Sequence, residues 1–237
     1  MSTYVLIHGA WHGAWCWDKL VPFLQDQGHT VISPDLPAHG QDLTPISEVT
    51  LQSYTNRVCE VVNKQTEPVI LVGHSLGGVS ITQAAEQCPA RIKKLVYLSA
   101  FLLPNGVARL GYGDDISGSL LEQNKALSED KTIVYFNEAG LEATFYHDCS
   151  AQNIARAKAL TRPEPTAGIV TPVRYTAENF GRIPRVYIEC LQDRAILPAL
   201  QKRMYTETTV DRVISMNTSH SPFFSAADEL AKNLIDL

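Results

Sequence analysis

A serine flanked by glycines is the residue of this sequence with the clearest capacity for chemistry. Ser75 lies in the pattern Gly-His-Ser-Leu-Gly at positions 73–77, between an apolar segment typical of a strand, Val69–Val72, and a helical segment, Val79–Gln87. In that context G-x-S-x-G predicts a sharp, strained turn that exposes the serine hydroxyl, with small residues two positions away on either side. We therefore interpret Ser75 as a nucleophile rather than as part of a plain glycine-rich turn.

A serine hydroxyl becomes a useful nucleophile only when a base accepts its proton, and that base must itself be oriented by a carboxylate. After a turn of this type the acid and then the base follow the nucleophile, in loops after late strands. Of seven histidines, only His147 and His220 follow Ser75, and His147 lies in a region that looks inserted. His220 directly follows the predicted strand Val213–Met216, so we assign it as the base.

The acid is expected after the preceding strand, Val186–Leu191, and Asp193 is found there. Two other carboxylates are wrongly placed for this role. Glu189 lies inside the predicted strand, and Asp211 precedes the next strand, at the opposite end of the sheet. We therefore predict that Asp193 orients His220.

A tetrahedral intermediate carries an oxyanion that needs backbone N–H donors. Leu76, the residue after the nucleophile, is expected to supply one donor. The second is expected from the loop after the first strand, where Ala10 is the better candidate. In the same loop we interpret His8 as a structural residue rather than a proton carrier.

The remaining histidines have less specific interpretations. His74, beside the nucleophile, either lines the substrate pocket or is structural. His12 and His39 are predicted to be hydrogen-bonded turn residues, and His29 is placed at a helix end. No pair of histidines has metal-ligand spacing supported by a nearby carboxylate, so a catalytic metal is not expected.

The elements that must position these residues are short apolar segments separated by helical ones. The predicted strands are Tyr4–His8, Thr30–Ser33, Val69–Val72, Leu95–Ser99, Val186–Leu191 and Val213–Met216. Leu51–Gln65 has an apolar stripe typical of a helix, with Thr50 as its N-cap. This alternation predicts an α/β fold with a mostly parallel sheet of about six strands and helices on both faces.

The alternation fails in residues 103–180, which we interpret as an inserted cap between two parts of one hydrolase core, 1–102 and 181–237. Within the cap we expect a hairpin of Thr132–Phe136 with Glu142–Tyr146 and a helix over Ala151–Leu160. Such an insertion would cover the crevice where open α/β sheets bind ligands. The candidate pocket residues are Gly9, Trp11, His74, Phe101, Tyr112, Leu120, Tyr135, Phe136, Phe145, Tyr146, Phe180 and Phe223.

The composition restricts the class of protein further. A chain of 237 residues with 45% hydrophobic residues is long enough for one well-buried catalytic domain. The net charge of -5 comes from scattered charges, so a nucleic acid is not an expected partner. No apolar run approaches the length that a bilayer needs, and the N-terminus lacks a secretory pattern, so we expect a cytoplasmic protein without membrane insertion. The oligomeric state is left open, a homodimer included.

Five cysteines without CxxC spacing complete the composition. An odd number in this arrangement argues against a disulfide framework and against a zinc site. We therefore expect buried free thiols.

Four sequence blocks together resemble one branch of the α/β-hydrolase superfamily, which contains plant methylesterases, hydroxynitrile lyases and bacterial esterases related to pyrethroid hydrolases. The blocks are Val-Leu-Ile-His-Gly-Ala-Trp-His-Gly-Ala-Trp at 5–15, Asp-Leu-Pro-Ala-His-Gly at 35–40, residues 73–78, and Thr-Ser-His-Ser-Pro-Phe at 218–223. The resemblance implies the α/β-hydrolase fold, no cofactor, a small lid over an apolar pocket, and activity on esters or cyanohydrins.

Two departures separate this chain from the lyases of that branch. The lyases carry a lysine immediately after the catalytic histidine and a threonine after the histidine of the first strand, whereas this sequence has Ser221 and Gly9. A neutral serine cannot stabilise departing cyanide as an ammonium group does. We therefore expect a carboxylic ester hydrolase that forms an acyl-enzyme and acts on small, largely apolar esters. A hydroxynitrile lyase and a non-catalytic small-molecule sensor on the same scaffold are the alternatives.

Overall fold

The computed structural model describes residues 1–237 and contains two sheets. The strands, in chain order, are β1 (Thr3–Ile7), β2 (Thr30–Ile32), β3 (Val69–His74), β4 (Ile92–Leu98), β5 (Lys125–Leu127), β6 (Ile133–Phe136), β7 (Glu164–Pro165), β8 (Arg185–Cys190) and β9 (Arg212–Met216). Six of them form a parallel sheet in the order β2-β1-β3-β4-β8-β9. The other three form a small antiparallel sheet in the order β5-β6-β7.

Helices occupy most of the connections between strands. They are α1 (Leu20–Gln25), α2 (Leu51–Asn63), α3 (Gly77–Gln87), α4 (Leu120–Asn124), α5 (Glu138–Leu141), α6 (Ala151–Leu160), α7 (Ala167–Val170), α8 (Pro198–Glu207), α9 (Pro222–Ser225) and α10 (Ala227–Ile235). Short 3-10 turns cover Ala14–Trp17, Ile46–Glu48, Pro89–Arg91 and Phe180–Arg182, and a π-helical turn covers Glu142–Tyr146. No helix combines the length and hydrophobicity needed to cross a bilayer.

The central strands form because continuous runs of β-branched and aliphatic residues can be buried on both faces of a parallel sheet. Every residue of β3 is buried, and β4 is buried from Leu95 to Leu98. The edge strands β2 and β9 are largely exposed or half-buried. All six predicted strands are present within a few residues of their predicted bounds, which confirms the expected α/β architecture.

Helix α2 begins as its sequence predicts. Thr50 accepts a hydrogen bond from the Ser53 N–H at 3.0 Å, and Ser53 Oγ accepts from the Thr50 N–H at 2.9 Å, so a reciprocal capping box closes the N-terminus. Tyr54, Val58 and Val62 of its apolar face are buried.

The expectation that all five cysteines are buried thiols is wrong for two of them. Cys59 of α2 and Cys88, directly after α3, form a disulfide, with their Cα atoms 6.2 Å apart. The packing of α2 against α3 brings them together, and a separation of 29 positions in the sequence gives no sign of that contact. Cys16 and Cys190 are buried free thiols, and Cys149 is half-buried.

The predicted hairpin in the cap is also wrong in one strand. β6 lies where it was expected, but it pairs with β5, with Ala126 opposite Tyr135, and on its other side with β7. The segment Glu142–Tyr146 is a π-helical turn instead of a strand, and its last three residues are buried. Helix α6 has the predicted bounds and is capped by Ser150.

The topology determines where a site can form. In a parallel sheet the carboxyl ends of all strands meet at one edge, where crevices for ligands lie. The loops after β1, β3, β8 and β9 carry the candidate residues, and residues 103–180, which we predicted to form a cap, lie in the connection from β4 to β8.

Candidate active site

Ser75 lies in a sharp turn between β3 and α3, with a left-handed φ of 53°. The turn is tight enough to exclude side chains at the flanking glycines. A Cβ atom on Gly77 would lie 2.5 Å from the His8 carbonyl oxygen, and one on Gly73 would lie 2.9 Å from the Gly77 carbonyl oxygen. The Phe101 N–H donates to the Ser75 carbonyl at 3.0 Å and ties the turn to the loop after β4. The strain at Ser75 is therefore held by its surroundings.

Asp193 and His220 meet at the carboxyl ends of β8 and β9. His220 Nδ1–H donates to Asp193 Oδ2 at 2.6 Å, and both side chains are buried. The other carboxylate oxygen, Oδ1, accepts from the N–H groups of Ala195 and Ile196 at 2.7 and 2.9 Å. This arrangement fixes the tautomer of His220 and leaves its Nε2 lone pair available as a base.

Two buried residues that the sequence reasoning missed also hold Asp193. Ser99, at the end of β4, donates its hydroxyl to Asp193 Oδ2. Gln201 of α8 donates to the same oxygen at 3.4 Å, and its own Oε1 accepts from the Cys190 N–H at 3.0 Å. Ser99 could have been noticed in the sequence as a polar residue at the end of an apolar segment. Nothing in the residues around Gln201 indicates its contact with Asp193.

His74 connects the nucleophile turn to the base. Its Nε2–H donates to the His220 carbonyl at 2.9 Å, and the two rings lie 4.5 Å apart. Burial, together with the charge of His220, holds the pKa of His74 well below its ordinary value. His74 is therefore a neutral structural residue outside the cavity described below. Ser75 Oγ and His220 Nε2 are not hydrogen-bonded to each other in this structure.

The loop after β1 places Ala10 against the nucleophile turn. A Cβ atom on Gly9 would lie 2.6 Å from Ser75 Cβ, so only glycine permits this approach. The N–H groups of Ala10 and Leu76 donate to no acceptor within the protein, and both residues line the same cavity as Ser75. Two backbone donors are thus available beside the candidate nucleophile.

His8, the last residue before Gly9, holds the start of this loop in place with two hydrogen bonds. His8 Nε2 accepts from the Leu36 N–H at 3.0 Å, and its Nδ1–H donates to the Gly9 carbonyl at 2.9 Å. Burial and the charge of His39 hold the pKa of His8 well below its ordinary value, so it remains neutral. Its position agrees with a structural role.

His12 was predicted to be a hydrogen-bonded turn residue, and in addition it contacts the cap and an aromatic side chain. Its Nδ1–H donates to the Ala10 carbonyl at 2.7 Å, and its Nε2 accepts from the Tyr146 hydroxyl at 2.5 Å. The ring stacks on Trp15 at 5.2 Å. Burial lowers the pKa of His12 to about 4, with the charges of His220 and His39 acting in the same direction against the hydrogen bond to Ala10.

His39 forms a buried ion pair with a cap residue. It donates Nδ1–H to the Pro37 carbonyl at 3.0 Å and Nε2–H to Glu164 Oε2 at 2.7 Å, which makes it an imidazolium. Burial alone lowers the pKa of His39, but the charge of Glu164 and the hydrogen bond to it outweigh burial and raise it. Both side chains are about 1% exposed. The sequence predicted the turn contact of His39 but not the ion pair.

A partly open cavity lies beside Ser75, between the core loops and the cap. We call it the Ser75 cavity. It is lined by Ala10, Trp11, Ser75, Leu76, Phe101, Arg109, Leu121, Lys125, Val134 and Ile169. Of the residues predicted for the pocket, Trp11 and Phe101 lie in its wall.

The other predicted pocket residues do not line the Ser75 cavity. They are Gly9, His74, Tyr112, Leu120, Tyr135, Phe136, Phe145, Tyr146, Phe180 and Phe223. Phe145, for example, is buried in an aromatic cluster, 4.7 Å from the Phe136 ring and 5.5 Å from the His220 ring. Tyr135 is on the surface, 46% exposed.

Two cations in the cavity wall were not anticipated. Arg109 is buried with its guanidinium carbon 4.7 Å from the centre of the Phe101 ring. Arg109 and half-buried Lys125 pair with a single carboxylate, that of Glu122. The wall therefore carries one more positive charge than negative in an otherwise apolar cavity. Neither cation belongs to a motif that sequence reasoning could recognise.

Comparison with known proteins agrees with the fold and the site described above. A sequence model described as the alpha/beta hydrolase family matches residues 4–233. The chain belongs to the alpha/beta hydrolase family. That membership agrees with the parallel sheet, the turn at Ser75 and the inserted cap.

Several similar proteins are named as esterases or hydrolases. The chain is 32% identical to salicylic acid-binding protein 2 of Nicotiana tabacum over 99% of its own length and 96% of that protein. It is 30% identical to putative methylesterase 14, chloroplastic, of Arabidopsis thaliana, covering all of this chain and 72% of the relative. A crystal structure of a pyrethroid hydrolase from Sphingobium faniae JZ-2 superposes with a TM-score of 0.91 at 28% identity, over 99% and 96% of the two chains. These likenesses agree with the resemblance seen in the sequence and support ester hydrolysis.

Proposed function

We propose that this chain is a serine carboxylesterase with Ser75 as nucleophile, His220 as base and Asp193 as the acid that orients it. The observation that carries the proposal is the buried hydrogen bond from His220 Nδ1 to Asp193 Oδ2, 2.6 Å long, at the same sheet edge as Ser75. This bond leaves His220 Nε2 as the proton acceptor. The esterases among the relatives support the same reaction class.

In this mechanism, Ser75 Oγ attacks the ester carbonyl carbon while its proton passes to His220 Nε2. His220 then gives that proton to the leaving alcohol, and an acyl-enzyme remains on Ser75. Water then gives a proton to His220 and attacks the acyl-enzyme; the bond from the acyl carbon to Ser75 Oγ breaks, the carboxylic acid leaves, and His220 returns the proton to Ser75 Oγ. The contact between Ser75 and His220 is expected to tighten when substrate is bound, because catalytic hydrogen bonds are commonly long without it.

The negative charge on the carbonyl oxygen develops in both steps. The free N–H groups of Ala10 and Leu76 are the proposed donors to that oxygen. Such donors stabilise the transition state more than the ground state because they are already oriented toward the position of the charge. Leu76 also lies at the N-terminus of α3, where the helix dipole favours negative charge.

The Ser75 cavity supports small, largely apolar esters as substrates. Leu76, Phe101, Leu121, Val134 and Ile169 supply an apolar wall for an acyl or alcohol group. The proposed partner is thus a small molecule.

The geometry does not favour cyanohydrin cleavage. Ser221, which takes the place of the lysine of the lyases, is completely buried, and its hydroxyl has no hydrogen-bond partner. A buried neutral hydroxyl cannot balance the charge of a cyanide leaving group.

A panel of p-nitrophenyl and methyl esters of increasing acyl size, hydrolysed by the wild type and by Ser75→Ala, tests the proposal. We expect hydrolysis by the wild type, near-background rates for Ser75→Ala, and covalent labelling of Ser75 by a fluorophosphonate. Ester cleavage that survives Ser75→Ala would refute the mechanism. Ligand binding without turnover in the wild type would favour the sensor, and cyanide release from mandelonitrile would favour the lyase.

A further inference from the structure

Trp11, the residue after the proposed oxyanion donor Ala10, has a left-handed backbone with a φ of 62°. A bulky side chain rarely adopts that conformation unless its surroundings impose it. The peptide between Ala10 and Trp11 is held at both ends. His12 Nδ1–H donates to the Ala10 carbonyl at 2.7 Å, and the Trp11 N–H donates to Glu164 Oε2 at 3.1 Å. The Ala10 N–H belongs to the preceding peptide, Gly9–Ala10, which joins this one at the Ala10 Cα, so fixing the Ala10–Trp11 peptide limits the directions that this donor can take.

Every polar group of Trp11 is bonded to the cap. Besides the bond to Glu164, its carbonyl accepts from the Arg162 N–H at 2.9 Å, and its indole Nε1–H donates to the Val134 carbonyl at 2.9 Å. Trp11 is 5% exposed. A loop of the core thus takes its shape from three positions of the inserted segment.

Glu164 is the only one of the three cap positions that binds Trp11 through a side chain. Its Oε2 accepts from Trp11 N–H and from His39 Nε2–H, and its Oε1 accepts from the Tyr54 hydroxyl at 3.3 Å. Three donors directed at one buried carboxyl group require an ionised acceptor. The imidazolium of His39 compensates its charge, so the carboxylate is fixed in place beneath the loop.

We propose that Glu164 is a positioning residue that holds the Ala10 N–H in the direction of the oxyanion, through its hydrogen bond to Trp11. The inference rests on the proposed function, since it assumes that Ala10 is an oxyanion donor. It assigns to the cap a part in transition-state stabilisation, in addition to lining the cavity. The proposed role depends on the length of the Glu164 side chain, because only a side chain of this length brings an oxygen to the Trp11 N–H.

Two conservative variants distinguish the effect of side-chain length from the effect of charge. Glu164→Gln keeps the length of the side chain and an oxygen for the Trp11 N–H but removes the charge. Glu164→Asp keeps the charge that faces His39 but withdraws the carboxylate by one carbon–carbon bond, about 1.5 Å. Tyr54→Phe is the matched control, because it removes another hydrogen bond to the same carboxylate and leaves the contact with Trp11 intact.

We expect Glu164→Asp to lower kcat about 10- to 100-fold with KM within about threefold of the wild type, as a displaced oxyanion donor would. Glu164→Gln and Tyr54→Phe should retain kcat within about fivefold. The affinity for an alkyl boronic acid, which forms a tetrahedral adduct with the serine, should fall in parallel with kcat. Thermal unfolding of each variant shows whether the fold is kept.

The reverse order, with Glu164→Asp active and Glu164→Gln impaired, would overturn the inference and show that charge matters instead. Equal losses in Glu164→Asp and Tyr54→Phe would also overturn it. If the wild type shows no Ser75-dependent ester hydrolysis, the proposed function itself fails. If it does and Glu164→Asp keeps wild-type kcat, only the role of Glu164 fails.

Discussion

Acidification should destabilise the fold through His12, and the size of the effect follows from its burial. The pKa of His12 is lowered from 6.5 to about 4 because the ring is buried between the loop after β1 and Tyr146. The unfolded chain therefore binds a proton at a pH where the folded chain does not. A histidine with a depressed pKa contributes stability that is complete above 6.5 and is lost as the pH falls toward 4. Between pH 7.5 and pH 5 the loss from this residue amounts to about 2 kcal/mol.

Urea unfolding of the wild type and His12→Gln at pH 7.5 and pH 5 measures this contribution. Glutamine can still donate to the Ala10 carbonyl and accept from Tyr146, but it does not titrate. His8 and His74 also have lowered pKa values, so both proteins should lose stability in acid. The wild type should lose about 2 kcal/mol more than His12→Gln, with equal m-values. Equal losses in the two proteins would refute the assignment of a neutral, buried His12.

Three further predictions concern the proposed site. Asp193→Asn should lower kcat for ester hydrolysis about 10⁴-fold, because an amide can stabilise the wrong tautomer of His220; a loss below tenfold would contradict its role. Gly77→Ala should destabilise the protein by about 1–3 kcal/mol in thermal unfolding, because its Cβ atom would meet the His8 carbonyl; unchanged stability would contradict the close approach. Lys125→Gln should raise KM about fivefold for esters that also carry a free carboxylate and leave neutral esters unchanged; an equal effect on both would exclude a charge interaction.

The sheet and the candidate chemistry could be predicted because their signals are local. Continuous apolar segments identified the parallel strands, and the order of Ser75, Asp193 and His220 along the chain placed each of them after a strand. A single strand-to-helix turn predicted the strained backbone at Ser75. These features depend on neighbouring residues, which a sequence shows directly.

Long-range contacts escaped prediction because nothing near either partner specifies them. His39 and Glu164 are 125 positions apart, and Cys59 meets Cys88 only through the packing of two helices. The lining of the cavity was mispredicted for a related reason. Large aromatic side chains such as Phe145 and Tyr146 are buried against each other, so the wall contains only two of the predicted aromatic residues, together with smaller aliphatic residues and two cations.

The bonds between Trp11 and the cap have a consequence for engineering new specificity by recombination. Grafting the cap of another esterase onto this core would replace not only the cavity wall but also the acceptor for Trp11 N–H and the counterion of His39. A chimera that lacks a carboxylate at position 164 would keep Ser75, Asp193 and His220, but His39 would lose the counterion that keeps it protonated. Residues 162–164 and Val134 should therefore be kept as they are in this protein. Only the rest of the insert should be exchanged.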